Sequence, residues 1–539
     1  MSQAFSVKKT TLSKVDIPEY FNIGVACTEP ELPGFSASQT AIIVDQGKQD
    51  SQLTSYAELA SGSNRVANAF AKLGLKQADR VMLWLPNCIE FPVSFFGILK
   101  FGAVAVPSSV LLTAEELKYI AKDSGARALV TSARLYKKLL DGASLPSTIK
   151  HVILIDETNL DEENASKVLH FHHLLNKQTS AFTAVKTKAN DAAYLVYTSG
   201  TTGYPKGVLH AHRALLGRLP SAYHWFDYQE DSADRILHSG KFNWTYVLGT
   251  AMMDPLYLGK TVVVYEGPND ASTWPKLIAK HQCTIFIGVP TIYRQIIQKT
   301  GFKASDTPSL RHCMCAGEHL SDEMLDAWKQ RFEQDIYEAI GMSECSYYLS
   351  QHPSKPIRPG SAGFPQPGHQ VHLLDYKLQA VEDETEGMLC IGLEDPGLFI
   401  EYWNLPETTQ ESRQQGYFLT GDYARRDKEG YIWFHGRRDD IINSFGFRIS
   451  PHEIERIIKT HPGIADCVAL EENAEVDKNL VVICVIVKEN VNLDETTLLS
   501  FSAEHLAQYK VPKKVYFMDN FPRTANGKII RKALKSMNK

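Results

Sequence analysis

Residues 197–208 read Y-T-S-G-T-T-G-Y-P-K-G-V. The hydroxyls of Thr198, Ser199, Thr201 and Thr202 alternate with Gly200 and Gly203 ahead of Lys206. Glycines let the backbone fold back so that its N–H groups point at an anion, and the hydroxyls and the ammonium add further donors. The apolar run 192–197 in front of the loop has the texture of a buried strand. A strand running into a Gly-rich, hydroxylated, Lys-ended loop is a phosphate cradle by its chemistry. It is not a Walker A loop, because no Gly-Lys-Ser/Thr follows at the required spacing.

Four later stretches carry chemistry of a compatible kind. Residues 335–344, D-I-Y-E-A-I-G-M-S-E, place the carboxylate of Glu344 just beyond a short apolar run. A carboxylate is the right ligand for a hard, oxygen-seeking cation that bridges phosphate oxygens. Residues 420–422, T-G-D, offer Asp422, and a carboxylate can accept two hydroxyl donors at once. Residues 436–450, G-R-R-D-D-I-I-N-S-F-G-F-R-I-S, bring the cations Arg437 and Arg448. In 522–532, P-R-T-A-N-G-K-I-I-R-K, the Asn526-Gly527 pair is a tight turn that projects Lys528. An ammonium on a four-carbon stem suits a reach toward developing phosphate charge, whereas Lys532 and Lys535 fit a solvated helix face.

In this order and spacing, the five motifs resemble those of the adenylate-forming superfamily: acyl-CoA synthetases, amino-acid adenylation domains and luciferases. The resemblance covers roughly the whole chain beyond its first few dozen residues. It implies that ATP and AMP are contacted by Thr198, Ser199, Gly200, Thr201, Thr202, Gly203, Lys206, Gly317, Glu318, Glu338, Ala339, Ile340, Gly341, Met342, Ser343, Asp422 and Arg437. It further implies that Glu344 holds Mg²⁺, that Asp422 takes the ribose hydroxyls, and that Lys528, Glu344 and Arg448 are catalytic. Asp439 falls at the family's hinge, and Ser444, Phe445 and Gly446 at the face that forms a channel for CoA. There are two departures from the pattern. Ser343 stands where the family usually has Thr, and Gly341 where acetate-using relatives carry a tryptophan that closes the acyl pocket.

Residues 240–245, G-K-F-N-W-T, sit where amino-acid-activating relatives place an aspartate that pairs the substrate's α-amino group. Asn243 cannot neutralise an ammonium, and a buried unpaired charge is costly, so amino-acid substrates are disfavoured. Phe242, Trp244 and Tyr246 are equally compatible with an apolar or aromatic slot and with core packing. Gly341, without that bulk, and Asn243, without a carboxylate, together predict room for a neutral tail longer than acetate. The resemblance therefore implies an AMP-forming acid–CoA ligase that uses ATP, Mg²⁺ and CoA on a medium-chain fatty or aromatic acid. The alternative acceptor is the phosphopantetheine of a carrier protein. The absence of surplus chain between Glu344 and Asp422 favours free CoA.

The elements that must position these residues also show in the pattern. Helical spacing runs over 56–73, and buried strands are expected at 80–85, 126–131, 151–155, 260–265, 284–290 and 312–316. Strands separated by helical stretches imply parallel sheets with crossover helices. The 156–190 segment reads as surface connection, and 371–436 as a β-rich, barrel-like subdomain. The expected fold is α/β: a large domain of mixed sheets with flanking helices over 1–438, its β-rich part at about 360–438, and a mobile α+β domain over 439–539.

A chain of 539 residues exceeds what one hydrophobic core usually organises, which agrees with at least two domains. Net charge is −5 with no long basic block, so nucleic acid is not an expected partner. No apolar run reaches the roughly 18 residues of a membrane span, and the N-terminus lacks the apolar core of a secretory signal. Nine scattered cysteines suggest reduced thiols and a cytoplasmic setting, with Cys313 and Cys315 pointing to one face of a core strand rather than to a metal. A monomer or homodimer is expected.

Overall fold

The structure is a computed structural model that describes residues 15–142, 144–156, 168–198, 205–228, 232–317, 320–437, 440, 442–444, 447–475, 478–506, 508–523 and 529–537. The larger domain holds two big sheets. One has eight strands in the order Glu401–Tyr402, Lys206–Ala211, Ala192–Thr198, Val104–Pro107, Arg80–Trp84, Ala128–Thr131, His151–Leu154 and Val168–His170. From Ala192–Thr198 to Val168–His170 every pairing is parallel, and the two strands at the other end are antiparallel. The other has nine strands, with Ile336–Ile340, His312–Ala316, Ile285–Gly288, Arg235–His238, Thr261–Tyr265 and Thr40–Asp45 forming its parallel centre. The V-V-V and I-F-I runs of the central strands are buried on both faces, as expected of parallel strands covered by helices.

The helix Tyr56–Lys72 spans almost the whole of the periodic stretch. Ser55 and Glu58 form a capping box at its start, and Leu59, Val66, Ala67 and Phe70 bury one face. The 156–190 segment differs from its reading as surface connection. Val168–His170 adds a strand to the edge of the eight-stranded sheet, and the helix Phe171–Asn176 buries Phe171 and Leu175. Three strand residues followed directly by a six-residue helix are too few for either period to register in the sequence. Residues 371–437 form antiparallel strands, as read, but no pairing among them closes a barrel. Val371–Leu374, Glu386–Gly392, Tyr417–Arg426 and Arg413–Gln414 lie in an open row, with Ile432–Arg437 also on Tyr417–Arg426.

The smaller α+β domain packs the helices Pro451–Lys459 and Glu495–His505 on a three-stranded sheet of Ile464–Glu475, Lys478–Val487 and Lys514–Phe517. Cys313 and Cys315 do share one buried face, inside a core cluster with Trp328 and Phe332.

A buried polar knot ties the helix Arg213–Phe226 to the strand Ala192–Thr198. Arg218 donates through Nε and Nη2 to Asp254 Oδ1, at 3.2 and 2.9 Å, and through Nη1 to the Tyr194 hydroxyl at 3.2 Å. The Tyr347 hydroxyl donates to Asp254 Oδ2. Both charged side chains are 1% exposed. Removing Asp254 strands a cation in the core, so Asp254→Ala is expected to destabilise the chain by about 3–5 kcal/mol. The shift of the guanidinium unfolding midpoint measures this, and a loss below about 1 kcal/mol would show that the knot is dispensable.

Candidate active site

The strand Ala192–Thr198 turns back as Lys206–Ala211, with Thr198 opposite Lys206. This antiparallel pairing holds both ends of the glycine-rich loop at one place. Ser199, Gly200, Thr201, Thr202 and Gly203 lie outside the described residues. Lys206 Nζ stands 4.6 Å over the ring of Tyr402. Tyr402 arrives on the two-residue strand Glu401–Tyr402, which pairs with Lys206–Ala211 and puts Tyr402 opposite Val208. Its hydroxyl donates to Glu344 Oε1 at 2.7 Å. Tyr402 thus joins the cradle lysine to the carboxylate of the second motif. Burial and the neighbouring Glu344 push the Tyr402 hydroxyl well above its ordinary range, so it stays a donor. Sequence reasoning missed it. E-Y-W-N has no signature of its own, and its partners are 58 and 196 positions away in the chain.

Glu344 sits in the turn that follows Ile336–Ile340. Gly341 occupies the first position of that turn, where an added Cβ would lie 2.1 Å from the Tyr347 backbone N and 2.7 Å from its Cα. This corrects the reading of Gly341 as missing bulk in an open acyl pocket. The returning backbone of Tyr347 already fills the space, and glycine is there to allow the approach. The Ser343 carbonyl accepts a hydrogen bond from His210 Nε2 at 2.7 Å. A carbonyl can only accept, so the His210 proton lies on Nε2. Burial pushes this imidazole down to about 3, and its ring stacks on Tyr194 at 4.8 Å and 12°. Glu338, Ala339 and Ile340 belong to the strand itself, and Glu338 Oε1 accepts from the Leu320 N–H at 2.8 Å. The Met342 N–H donates to the Cys345 carbonyl at 3.0 Å and closes the turn.

Asp422 and Arg437 face each other in register on neighbouring strands, with Arg437 Nε 3.3 Å from Asp422 Oδ1. The Tyr348 hydroxyl donates to Asp422 Oδ2 at 3.1 Å. Burial by itself would lower the Arg437 guanidinium, but the charges of Asp422 and Glu344 outweigh it and raise it above its ordinary value. Arg437 therefore lies within electrostatic reach of both acids, and the structure brings three of the sequence motifs to one place. Among the described residues Glu344 Oε2 has no hydrogen-bond partner, which fits an oxygen ligand for a hard cation such as Mg²⁺.

Asp439, Phe445, Gly446, Glu318 and Lys528 lie outside the described residues. Ser444 is buried at the end of Ile442–Ser444, and Arg448 lies in the paired strand Phe447–Ile449, its side chain outside the described residues. Arg523 and Ile529, on either side of the lysine motif, form an antiparallel bridge.

The acyl-side residues follow the carboxyl end of Arg235–His238. Asn87 fixes their loop: its Nδ2 donates to the Gly240 carbonyl at 3.1 Å and its Oδ1 accepts from the Phe242 N–H at 2.9 Å. Phe242 is buried in the main core and stacks on Phe91 at 5.5 Å, which is the core packing that the sequence left open beside a slot. Asn243, Trp244, Thr245 and Tyr246 are half-buried, between the buried Phe242 and the buried stretch 247–253. Trp244 and Tyr246 meet edge to face at 5.1 Å and 75°. Gly317, at the carboxyl end of His312–Ala316, has a φ of +101°, and among the described residues a Cβ there would meet the Trp244 ring alone, at 3.8 Å. The mouths of parallel strands are where open α/β sheets bind ligands.

One further cluster is structural. Cys345 Sγ, His369 Nδ1 and an Asp395 oxygen lie within 4.8 Å of one another. The Asp395 carboxylate already accepts from His369 at 2.9 Å and from the N–H groups of Gln370 and Gly397. Its charge is met without a metal ion.

Residues 36–403 match the AMP-binding enzyme family, and residues 453–528 match the AMP-binding enzyme C-terminal domain. The chain belongs to the AMP-binding enzymes. It is an AMP-forming ligase of the adenylate-forming superfamily, with that superfamily's large α/β and small α+β domains. It is 32% identical over 516 residues to the uncharacterized acyl–CoA ligase YtcI of Bacillus subtilis (strain 168), covering 94% of each chain. It is 30% identical over 493 residues to a 3-hydroxybenzoate–CoA/4-hydroxybenzoate–CoA ligase of Thauera aromatica, covering 89% of this chain and 91% of that one. The anthranilate CoA ligase AuaEII, solved in complex with anthranoyl-AMP, superposes with a TM-score of 0.88 at 29% identity, over 98% of this chain and 99% of that one. Among the described residues no helix of this ligase is long and apolar enough to cross a membrane.

Gly341→Ala is expected to slow acid-dependent ATP–pyrophosphate exchange at least about tenfold, corresponding to ~1.4 kcal/mol, because the turn carrying Ser343 and Glu344 must move. The loss should be the same for short, medium and aromatic acids. An effect confined to long acids would return Gly341 to the acyl pocket.

Proposed function

We propose that this protein is an AMP-forming acid–CoA ligase for a medium-chain fatty or aromatic acid. The observation that carries the reading is the half-buried 243–246 segment at the carboxyl ends of the parallel strands, with Trp244 and Tyr246 as its walls and Asn243 in place of an acid. Such a surface takes an uncharged tail. The names of the relatives above, an acyl–CoA ligase, a hydroxybenzoate–CoA ligase and an anthranilate CoA ligase, support CoA as the acceptor.

In the first half-reaction the substrate carboxylate attacks the α-phosphorus of ATP and expels pyrophosphate. Charge neutralisation and positioning supply most of the acceleration in such chemistry. The loop from Thr198 to Lys206 cradles phosphate, Glu344 holds Mg²⁺ and Ser343 meets the α-phosphate. Asp422 takes the ribose hydroxyls beside Arg437, and Lys528 and Arg448 bring positive charge to the reacting groups. Gly317, Glu318 and residues 338–342 flank the nucleotide. Mg²⁺ held by Glu344 would supply positive charge beside the nucleotide phosphates.

In the second half-reaction the small domain, beginning at about residue 439, turns about Asp439 and withdraws Lys528. The face of Ser444, Phe445 and Gly446 then borders the path of the CoA thiol to the acyl carbonyl.

ATP–pyrophosphate exchange over a panel of short, medium, long and aromatic acids, followed by thioester detection with CoA, tests the reading. Exchange without thioester formation would move the acceptor to a carrier protein. Lys528→Ala should abolish exchange while thioester formation from supplied acyl-AMP and CoA survives. Equal loss of both steps would remove Lys528 from its proposed role.

A further inference from the structure

The segment 399–403 grips Glu344 by its backbone and by its side chain. The Phe399 N–H donates to the Glu344 carbonyl at 2.9 Å, and the Tyr402 hydroxyl donates to Glu344 Oε1 at 2.7 Å. The segment is itself anchored to the strand that leaves the glycine-rich loop. There the Ile400 and Trp403 N–H groups donate to the Leu209 and Gly207 carbonyls, at 2.6 and 2.8 Å. Trp403 Nε1 also donates to the Asp123 carbonyl at 3.0 Å, and the Asp123 carboxylate accepts from the Tyr197 hydroxyl at 2.6 Å. Tyr197 stands at the entrance of that loop, so its entrance, its exit and Glu344 share one scaffold.

What sets Tyr402 apart from a packing residue is the kind of donor it brings. Tyr402 and Glu344 are both buried. Buried charges are as a rule paired with an opposite charge or bound to a metal ion. Among the described residues no salt bridge engages Glu344 or Lys206. Burial, with Glu344 beside it, pushes the Tyr402 hydroxyl well above its ordinary range, so it donates a proton without bringing a charge. A cationic partner would compete with a metal ion for the carboxylate. A neutral donor orients the group and leaves its charge for another partner, which is how metal-holding carboxylates are commonly supported. The ring of the same residue faces Lys206 Nζ at 4.6 Å.

We propose that Tyr402 is the positioning residue of the metal-holding carboxylate, its hydroxyl fixing Glu344 Oε1 and leaving Oε2 for the cation, while its ring seats Lys206 alongside. This rests on the reading of Glu344 as the Mg²⁺ ligand and names the residue that orients it.

The test is calorimetric binding of a non-reactive ATP analogue, with a methylene between its α- and β-phosphates, to the full chain in Mg²⁺ and in EDTA. Tyr402→Phe keeps the ring over Lys206 and removes the hydroxyl. It is expected to raise Kd in Mg²⁺ at least about tenfold, and Kd in EDTA less than about threefold. Tyr402→para-aminophenylalanine supplies a neutral N–H donor on the same ring and should hold Kd in Mg²⁺ to within about threefold of wild type. A residue that only packs would weaken both constants alike. An equal change in the two, or no change in either, in Tyr402→Phe therefore overturns the inference. Glu344→Gln tests the reading beneath it. If Glu344→Gln leaves the Mg²⁺ dependence of binding intact, that reading falls and the inference with it. If Glu344→Gln removes the dependence and Tyr402→Phe keeps it, the inference alone falls. If Tyr402→Phe does not fold, the aminophenylalanine protein decides, and a rise of about tenfold there overturns the inference.

Discussion

A lysine and a glutamate brought close together in one site tend to pair and neutralise each other. Here Tyr402 stands between them. Its ring face takes the Lys206 ammonium at 4.6 Å, and its hydroxyl donates to Glu344 at 2.7 Å. The cation faces a quadrupole rather than a carboxylate, and among the described residues one carboxylate oxygen is left without a hydrogen-bond partner. The arrangement depends on a strand of only two residues laid against the strand that follows the glycine-rich loop. The same strand pairing therefore fixes the loop's exit and the position of Glu344.

Behind this contact the core is polar where it must be rigid. The Arg218–Asp254 knot gathers Tyr194 from the strand before the loop and Tyr347 from the turn that carries Glu344. His210 ties that turn to the strand after the loop through the Ser343 carbonyl. A satisfied buried network holds one geometry more tightly than apolar packing does, because any shift leaves a polar group unmet. The helix that begins at Thr245 passes through a π-helical stretch, Gly249–Met253, before reaching Asp254. Such wide turns recur at functional sites. This one sets the helical step between the half-buried Tyr246 and the buried Asp254.

Much of the fold was legible in the sequence, because parallel strands buried on both faces must be continuous apolar runs and the helices between them must alternate. Runs such as 261–265 and 285–288 have few other structures open to them. The Val168–His170 edge strand was not legible, since three residues carry no period. Gly341 was misread for a different reason. A glycine in a motif signals only that a side chain is unwelcome. Whether a ligand or the chain itself fills that space depends on the Tyr347 backbone, six residues further on. Phe242 was ambiguous in the same way. An aromatic residue beside a motif belongs to the core or the site according to what lies across from it, and here that is Phe91.

By itself the sequence determined the chemistry available: hydroxyls, glycines, carboxylates and cations in an order and spacing that resemble those of the adenylate-forming superfamily. Those signals are local, since each motif is a short run of neighbouring residues. Tertiary structure decided which of these groups meet. Tyr402 reached Glu344, and Arg437 came within reach of Asp422 and Glu344, through strand pairings between segments far apart in the chain. It also decided which polar atoms near the acyl segment were left without partners. Both depend on contacts made after the sheets close, where burial makes an unmet hydrogen bond costly.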